Sequence, residues 1–227
     1  MAILKTKKNM IILILAGIPI VGAAAYLCFN FVSNSIVEYL LVNKPVPQAE
    51  VLVVEGWLYE FKKLVPSVSD EFNKGNYKYI LISGKSYETI SAFSGRDTIE
   101  SPSSSLEGLL LKNGIDSSKI KIVEIHSVDM HKTFSMARSA RNWLSQNDPD
   151  VKKINVCTAG AHGRKTWWAY KRMLGNRVSV GILSFSTGTL QTWTRKWLER
   201  RCGTRWLVYA LAGYFYARFW PISFIPD

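Results

Sequence analysis

The residues best suited to chemistry in this chain surround a short turn at residues 159–163. They are His162, Gly163, Arg164 and Lys165. The apolar residues 154–158 before the turn predict a β-strand, and residues 163–174 after it predict a helix. A helix N-terminus favours anions, because it presents free N–H groups and the positive end of the helix dipole. The turn therefore predicts a phosphate site with an imidazole that transfers a proton near neutral pH. A solvated first turn with His162 as a helix cap is the alternative.

Polar and small residues of the same kind follow the other predicted strands. They are Glu55, Gly56 and Trp57 after the first strand, Ser83, Gly84 and Lys85 after the second, and Thr133 in the helix after the third. Ligands of open α/β sheets bind outside the carboxyl ends of the strands, so we expect one binding crevice. Glu55 and His162 are the catalytic candidates, and the others are candidates for ligand binding. Glu55 would hold a sugar hydroxyl, orient His162 or activate water. Turns, caps and salt bridges account for the same residues structurally.

Motifs for common cofactors and nucleophiles are absent from the sequence. It has no G-x-G-x-x-G fingerprint, no phosphate-loop lysine motif and no G-x-S-x-G elbow. The three histidines and three cysteines do not stand at a zinc-ligand spacing. We therefore predict no metal site and leave the cofactor unknown. A grouping of His126, Asp129 and His131 is an open alternative, and so is a Cys157–Cys202 disulfide.

Short apolar segments alternate with helical patterns through the middle of the chain. The predicted strands cover residues 50–55, 77–83, 119–126, 152–158 and 178–184. The predicted helices between them cover residues 60–73, 102–112, 131–147 and 163–174. This alternation with short connections predicts an α/β fold, a three-layer α/β/α sandwich around a mainly parallel five-stranded sheet.

The N-terminus carries a long uncharged run. Lys5, Lys7 and Lys8 precede residues 10–29, which contain no charged residue. About 20 apolar residues suffice to cross a bilayer as a helix, and the lysines place the N-terminus in the cytoplasm. We predict an uncleaved transmembrane anchor with its linker over residues 1–44, and an α/β domain outside the cytoplasm over residues 45–204. A cleaved signal peptide is the alternative.

The C-terminal region is basic and then aromatic. Between residues 162 and 205 ten basic residues face one acid, which predicts an anionic partner. Nucleic acid would suit this charge but not the compartment, so we predict no nucleic-acid partner. Residues 205–227 predict an aromatic-rich helix. Its uncharged stretch is too short to span a bilayer, so it either lies at the membrane interface or packs on the domain.

Several segments together resemble the membrane-anchored branch of the ElyC/SanA/YdcF family. They are VLVVEGWL at 51–58, ISGK at 82–85, HKTFSMARSARNWL at 131–144, GAHGRKTWWA at 160–169, VGIL at 180–183 and YFYARFW at 214–220. The resemblance covers residues 49–220 and implies a Rossmann-like domain tethered to the bacterial inner membrane. Three departures from the family pattern stand out. His131-Lys132 replaces an Asp-Arg pair, Lys85 replaces a glycine, and Cys202 replaces an acid.

The resemblance implies a role in bacterial cell-envelope biogenesis, in peptidoglycan or surface polysaccharide synthesis. It does not fix the chemistry. One hypothesis is an enzyme, a hydrolase or transferase acting on a phosphate-bearing glycan or lipid-linked precursor. The alternative is a non-catalytic module that binds such a ligand, or a partner in an envelope assembly machine. The missing acids favour the binding module.

Overall fold

A sheet of five parallel strands forms the middle of the fold. The computed structural model describes residues 21–24, 26–56, 61–85, 102–125, 132–185 and 203–221. The strands are β1 Val51–Glu55, β2 Tyr79–Lys85, β3 Ile120–Ile125, β4 Lys153–Ala159 and β5 Ser179–Phe185. Each of the five predicted strands is present, with its ends within two residues of the predicted ones.

Helices lie between consecutive strands and at both ends of the described chain. We call the described N-terminal helical residues, 21–24 and 26–40, α1. The others are α2 Phe61–Lys74, α3 Pro102–Lys112, α4 Lys132–Asn147, α5 Gly163–Leu174 and α6 Gly203–Phe219. The four helices predicted between strands correspond to α2 through α5.

The sheet has the strand order β3-β2-β1-β4-β5, and all neighbours are parallel. The chain moves outward from β1 to β3 and then returns to the other side of β1, so the order reverses between β1 and β4. In open α/β sheets, ligands bind beside the carboxyl ends of the strands at such a switch point. The predicted α/β fold with a parallel five-stranded sheet is confirmed.

Helices cover both faces of the sheet. Leu52 and Val54 of β1 pack in one core cluster with α2 and α3. Val51 and Val53 pack in the other with α4 and α5. Successive side chains of a strand point to opposite faces, so Glu55, at the end of β1, belongs to the side of α4 and α5.

The end of α1 and the segment after it are built into the domain. Val37 and Leu40 are buried against α6. Lys44 forms an antiparallel bridge with Ile182 at the outer edge of β5. Residues 43–47, which their two prolines predict as a stiff linker, therefore run along the sheet and protect its edge.

α6 packs along α5 and the end of α1. Four of its residues at helical spacing are buried, namely Leu207, Ala210, Tyr214 and Ala217. Arg172 of α5 donates hydrogen bonds to the carbonyls of Ala217 and Trp220. A cation at a helix C-terminus satisfies carbonyls that have no partner within the helix. One face of α6 is therefore packed on the domain, as one of the two predicted alternatives requires.

No helix in the described parts of the chain is long and apolar enough to cross a bilayer. Residues 1–20 of the predicted anchor lie outside those parts, as do the segments 57–60, 86–101, 126–131 and 186–202.

Candidate functional site

Glu55 is the last residue of β1 and stands at the switch point between β1 and β4. Glu55 is 3% exposed. Oε2 accepts hydrogen bonds from Thr158 Oγ1 at 2.9 Å and from Thr166 Oγ1 at 3.1 Å. Oε1 has no hydrogen-bond partner among the described residues. Burial raises the pKa of Glu55, against the opposing effects of the Lys165 ammonium and the two threonine hydroxyls. The carboxyl group therefore keeps its proton to a higher pH than an exposed glutamate does.

Thr158 and Thr166 complete this group, although the sequence patterns above do not predict them. Thr158 follows Cys157, the β4 residue paired with Val54, so it stands beside Glu55. Thr166 comes from the first turn of α5, and the two threonine hydroxyls are 3.5 Å apart. The signal in the sequence is a polar residue at the end of an apolar strand, next to a strand that ends in an acid.

Ser83 stands on the other side of Glu55, but its hydroxyl serves helix α4. Ser83 is the β2 residue paired with Glu55, and its Oγ donates to the Met136 carbonyl at 3.0 Å. Thr133 is buried in the first turn of the same helix. Ser83 therefore connects the end of β2 to α4, the helix whose first turn also holds Thr133.

Lys165 lies within electrostatic reach of Glu55 and of Lys132 in α4. Its stem packs on α6, since a Cβ added at Gly213 would lie 2.9 Å from Lys165 Cδ. Burial lowers the pKa of Lys165, Glu55 opposes this shift, and Lys132 adds to it. The residue keeps part of its surface exposed. An anion that reached Lys165 would meet two lysines against one carboxyl group.

His162 ends a short 3₁₀ turn, Gly160–His162, in which Gly160 has φ +50°. It occupies the N-cap position of α5, but its side chain makes no capping hydrogen bond, so capping does not explain the residue. Burial, and then the Lys165 charge, lower the pKa of His162 to about 4. The imidazole is therefore uncharged at neutral pH. At neutral pH its unprotonated ring nitrogen can accept a proton. The ring becomes a cation that can donate a proton only in acid.

The predicted ligand-binding glycines allow close packing within the protein. A Cβ added at Gly84 would overlap the Ser103 hydroxyl and lie 3.1 Å from Gly56 Cα. Ser103 is fully buried near the start of α3, so these glycines let α3 approach the ends of β1 and β2. A Cβ at Gly163 would overlap the Ser184 hydroxyl of β5. The positive N-termini of α3 and α5 thereby come close to the carboxyl edge.

Arg164, predicted to bind phosphate beside Lys165, contacts α1 instead. Its guanidinium lies 3.8 Å from the centroid of the Tyr39 ring, and its Nε donates to the Tyr39 carbonyl. The Tyr39 hydroxyl is in turn 2.8 Å from the Tyr214 hydroxyl of α6. Arg164 therefore connects the first turn of α5 to α1 directly, and to α6 through Tyr39.

The remaining candidates lie outside the described residues. Trp57 is one of them, and Lys85 is described only as the last residue of β2. The open grouping of His126, Asp129 and His131 and the open partner Cys202 also fall there, while Cys157 is a buried free cysteine. Among the residues described, no group of three or more histidines, cysteines or acids could hold a metal ion.

We refer to Glu55, Thr158, Thr166, His162 and Lys165 as the switch-point cluster. Its inner part is a buried carboxyl group held by two hydroxyls, and its outer part is a partly exposed lysine and a neutral imidazole. Such an arrangement can attract an anion with its outer part and hold a proton with its inner part.

A scan against protein-family models, a search of curated proteins and a search of solved structures each returned no match. The resemblance to the ElyC/SanA/YdcF family therefore stays a prediction from the sequence.

Proposed function

We propose that the switch-point cluster binds the phosphate group of a glycan or lipid-linked precursor of the bacterial cell envelope. The observation that carries this proposal is Lys165, which is partly exposed and within electrostatic reach of Glu55, the residue that ends β1 where the strand order reverses. Lys132 and the N-terminus of α5 add positive charge at the same place. Ligand binding in the extracytoplasmic space, by a Rossmann-like member of the ElyC/SanA/YdcF family, is what the sequence resemblance implies.

The proposal includes an anchor in the inner membrane, with a cytoplasmic N-terminus and an extracytoplasmic α/β domain. Lys5, Lys7 and Lys8 before the uncharged run 10–29 support this orientation. Alkaline phosphatase fused after Asp227 should be active in bacteria, and an inactive fusion would reverse the orientation.

A binding experiment tests the ligand class by comparing variants of two neighbouring basic residues, Lys165 and Arg164. The full-length chain in detergent is titrated with glucose 1-phosphate, and binding is measured by calorimetry. Lys165→Gln should weaken binding by about 1.5–3 kcal/mol, the range for hydrogen bonds to charged groups. Arg164→Gln removes the same charge one residue away and should change the affinity little, since Arg164 is engaged with Tyr39.

Each outcome of this titration has a distinct meaning. Equal losses in both variants would indicate non-specific attraction to a basic surface. A loss in Arg164→Gln alone would assign the ligand to the face of α5 next to α1. If the unaltered chain does not bind the sugar phosphate, the proposed function is wrong.

The second candidate is turnover of such a ligand, by hydrolysis or group transfer. It is favoured by Glu55, whose Oε1 has no partner among the described residues and whose pKa is raised by burial. A carboxyl group that keeps its proton can act as a general acid. Incubation with a polyprenyl-diphosphate sugar and assay for released sugar or phosphate tests this candidate. Glu55→Gln should abolish turnover while leaving binding of glucose 1-phosphate. Absence of turnover in the unaltered chain would leave the binding module.

A further inference from the structure

An uncharged strip runs along α6 on the side away from the domain. Val208, Ala212, Phe215 and Phe219 follow one another at steps of three or four residues, so they share one face of the helix. Val208 is 60% exposed, Phe215 54% and Phe219 65%. The opposite face of α6 is apolar too, but it is buried. A helix that is hydrophobic all round normally has all its sides covered, and in this fold one side of α6 is open.

The first turns of α1 also expose large hydrophobic side chains. Tyr26, Leu27 and Phe31 are each about two-thirds exposed or more, at 67%, 66% and 74%. Buried residues of α1 begin only at Ser33. The helix therefore extends beyond the domain before it, and it leads back into the uncharged run 10–29. The end of α1 packs on the buried face of α6, so the two helices lie on the same side of the domain.

One cation, Arg218, and amphipathic aromatic rings border the strip. The Arg218 guanidinium lies 5.1 Å from the Phe219 ring centroid and 4.2 Å from that of Trp168. Tyr209 on α6 and Trp220, the residue after its end, are also exposed. Tyr and Trp are enriched where a membrane meets water, and arginines near the surface are attracted to anionic headgroups. A second copy of the chain would explain the apolar strip, but not the uncharged run 10–29 that leads into α1, the helix whose end packs on α6.

We propose that α6 lies with its open strip in the headgroup region of an anionic bilayer, beside the first turns of α1. The α/β domain is then held against the membrane along one side instead of hanging from a single helix. Because Lys165 packs on Gly213 of α6, the switch-point cluster sits about one helix diameter, roughly 10 Å, from the headgroups. This contact does not depend on the chemistry of the cluster.

Fluorescent labels on the full-length chain test the proposal. The native cysteines are replaced by Cys28→Ser, Cys157→Ala and Cys202→Ser, and a single cysteine is introduced by Phe215→Cys, Phe219→Cys or Leu111→Cys for labelling with an environment-sensitive dye. Leu111 is also exposed, at 42%, but it lies on α3 on the other side of the sheet. The chains are reconstituted into phosphatidylglycerol vesicles containing spin-labelled lipid.

We expect strong lipid quenching of the dye on Phe215→Cys and Phe219→Cys, and little on Leu111→Cys. Dyes at all three positions that emit as in water would overturn the proposal. The proposal would also be overturned if dyes on α6 were shielded from water but not quenched by spin-labelled lipid, and if the chains could be cross-linked as dimers. That result would favour a second copy of the chain. Photocross-linking to lipid from benzoylphenylalanine at position 215, with all cysteines retained, should give the same answer if the cysteine variants do not fold.

Discussion

The surroundings of a residue, more than its type, decide its role in this chain. Arg164 and Lys165 are neighbours of the same charge, but a helix turns by about 100° per residue. One therefore contacts α1, and the other lies near Glu55. The sequence predicts the edge of the sheet where the candidates gather, because strand ends can be read from local patterns. It does not predict which side chains turn inward, so Thr166 is missed and the contact of Arg164 with Tyr39 is not foreseen.

Glu55 makes stability depend on pH in an unusual direction for an acid. Burial raises the pKa of Glu55 in the folded chain above the ordinary 4.5. The stability that the protonated carboxyl group contributes is therefore fully present below pH 4.5, and it is lost as the pH rises through the folded pKa. Glu55→Gln cannot ionise. In urea unfolding it should match the unaltered chain at pH 4 and exceed it at pH 8 by about 1–3 kcal/mol, the range for an unsatisfied buried polar group.

Glu50 provides the matched control. Burial tends to raise its pKa, but hydrogen bonds from the Lys152 backbone and from Lys78 outweigh this effect, and the pKa is lowered. Glu50→Gln should therefore reduce stability at pH 8 and have less effect as the pH falls through the folded pKa. If both variants changed the free energy of unfolding at pH 8 in the same direction, the burial of Glu55 would be contradicted.

His162 should titrate with a pKa of about 4, because burial and the Lys165 charge disfavour its cationic form. Its ordinary value is 6.5, so stability is lost as the pH falls from 6.5 toward 4, by up to roughly 3 kcal/mol. His162→Gln should remove this loss in unfolding experiments. Proton NMR of the imidazole measures the pKa directly, and bound phosphate should raise it. A free-state pKa near 6.5 would show that the imidazole is hydrated.

The elements of the α/β domain follow closely from local signals. The turn 159–163, the glycines after helices and the apolar strands each mark a boundary along the chain. What the sequence does not reveal is contact over long separations. Residues 43–47 look like a free spacer, but Lys44 pairs with Ile182. Such a pairing has no local pattern, because the partner is more than a hundred residues away.

The contact between this segment and β5 depends on the missing side chain of Gly181. A Cβ there would overlap Asn155 Oδ1 and the Val46 backbone nitrogen, which are hydrogen-bonded to each other. Gly181→Ala should therefore reduce the free energy of unfolding by about 2–3 kcal/mol, as overpacking does. Gly108→Ala is the control, because nothing lies within 4 Å of a Cβ in α3. It should stabilise by about 0.5–1 kcal/mol, and equal effects would contradict the packing at Gly181.

At the scale of the whole molecule, the two terminal helices close the domain on one side. The core of α1 and α6 includes Ala161 in the turn before α5, so the helices predicted as an anchor and a tail support the candidate site. The boundary predicted at residue 44 separates a segment that contains the uncharged run 10–29 from a globular pattern. It cannot show that the last turns of α1 belong to the core of the domain.

Two truncations distinguish an anchor from a structural helix. Removal of residues 1–24 takes away none of the buried residues of α1, whereas removal of residues 1–44 also takes away Val37, Leu40 and Val42, at 1%, 0% and 4% exposure. Each buried side chain of this kind contributes about 1.5–3 kcal/mol, and whole domains are stable by only about 5–15 kcal/mol. The longer deletion should therefore abolish cooperative unfolding, measured by circular dichroism in detergent, while the shorter one keeps it. Equal unfolding of the two truncated chains would mean that α1 is only an anchor.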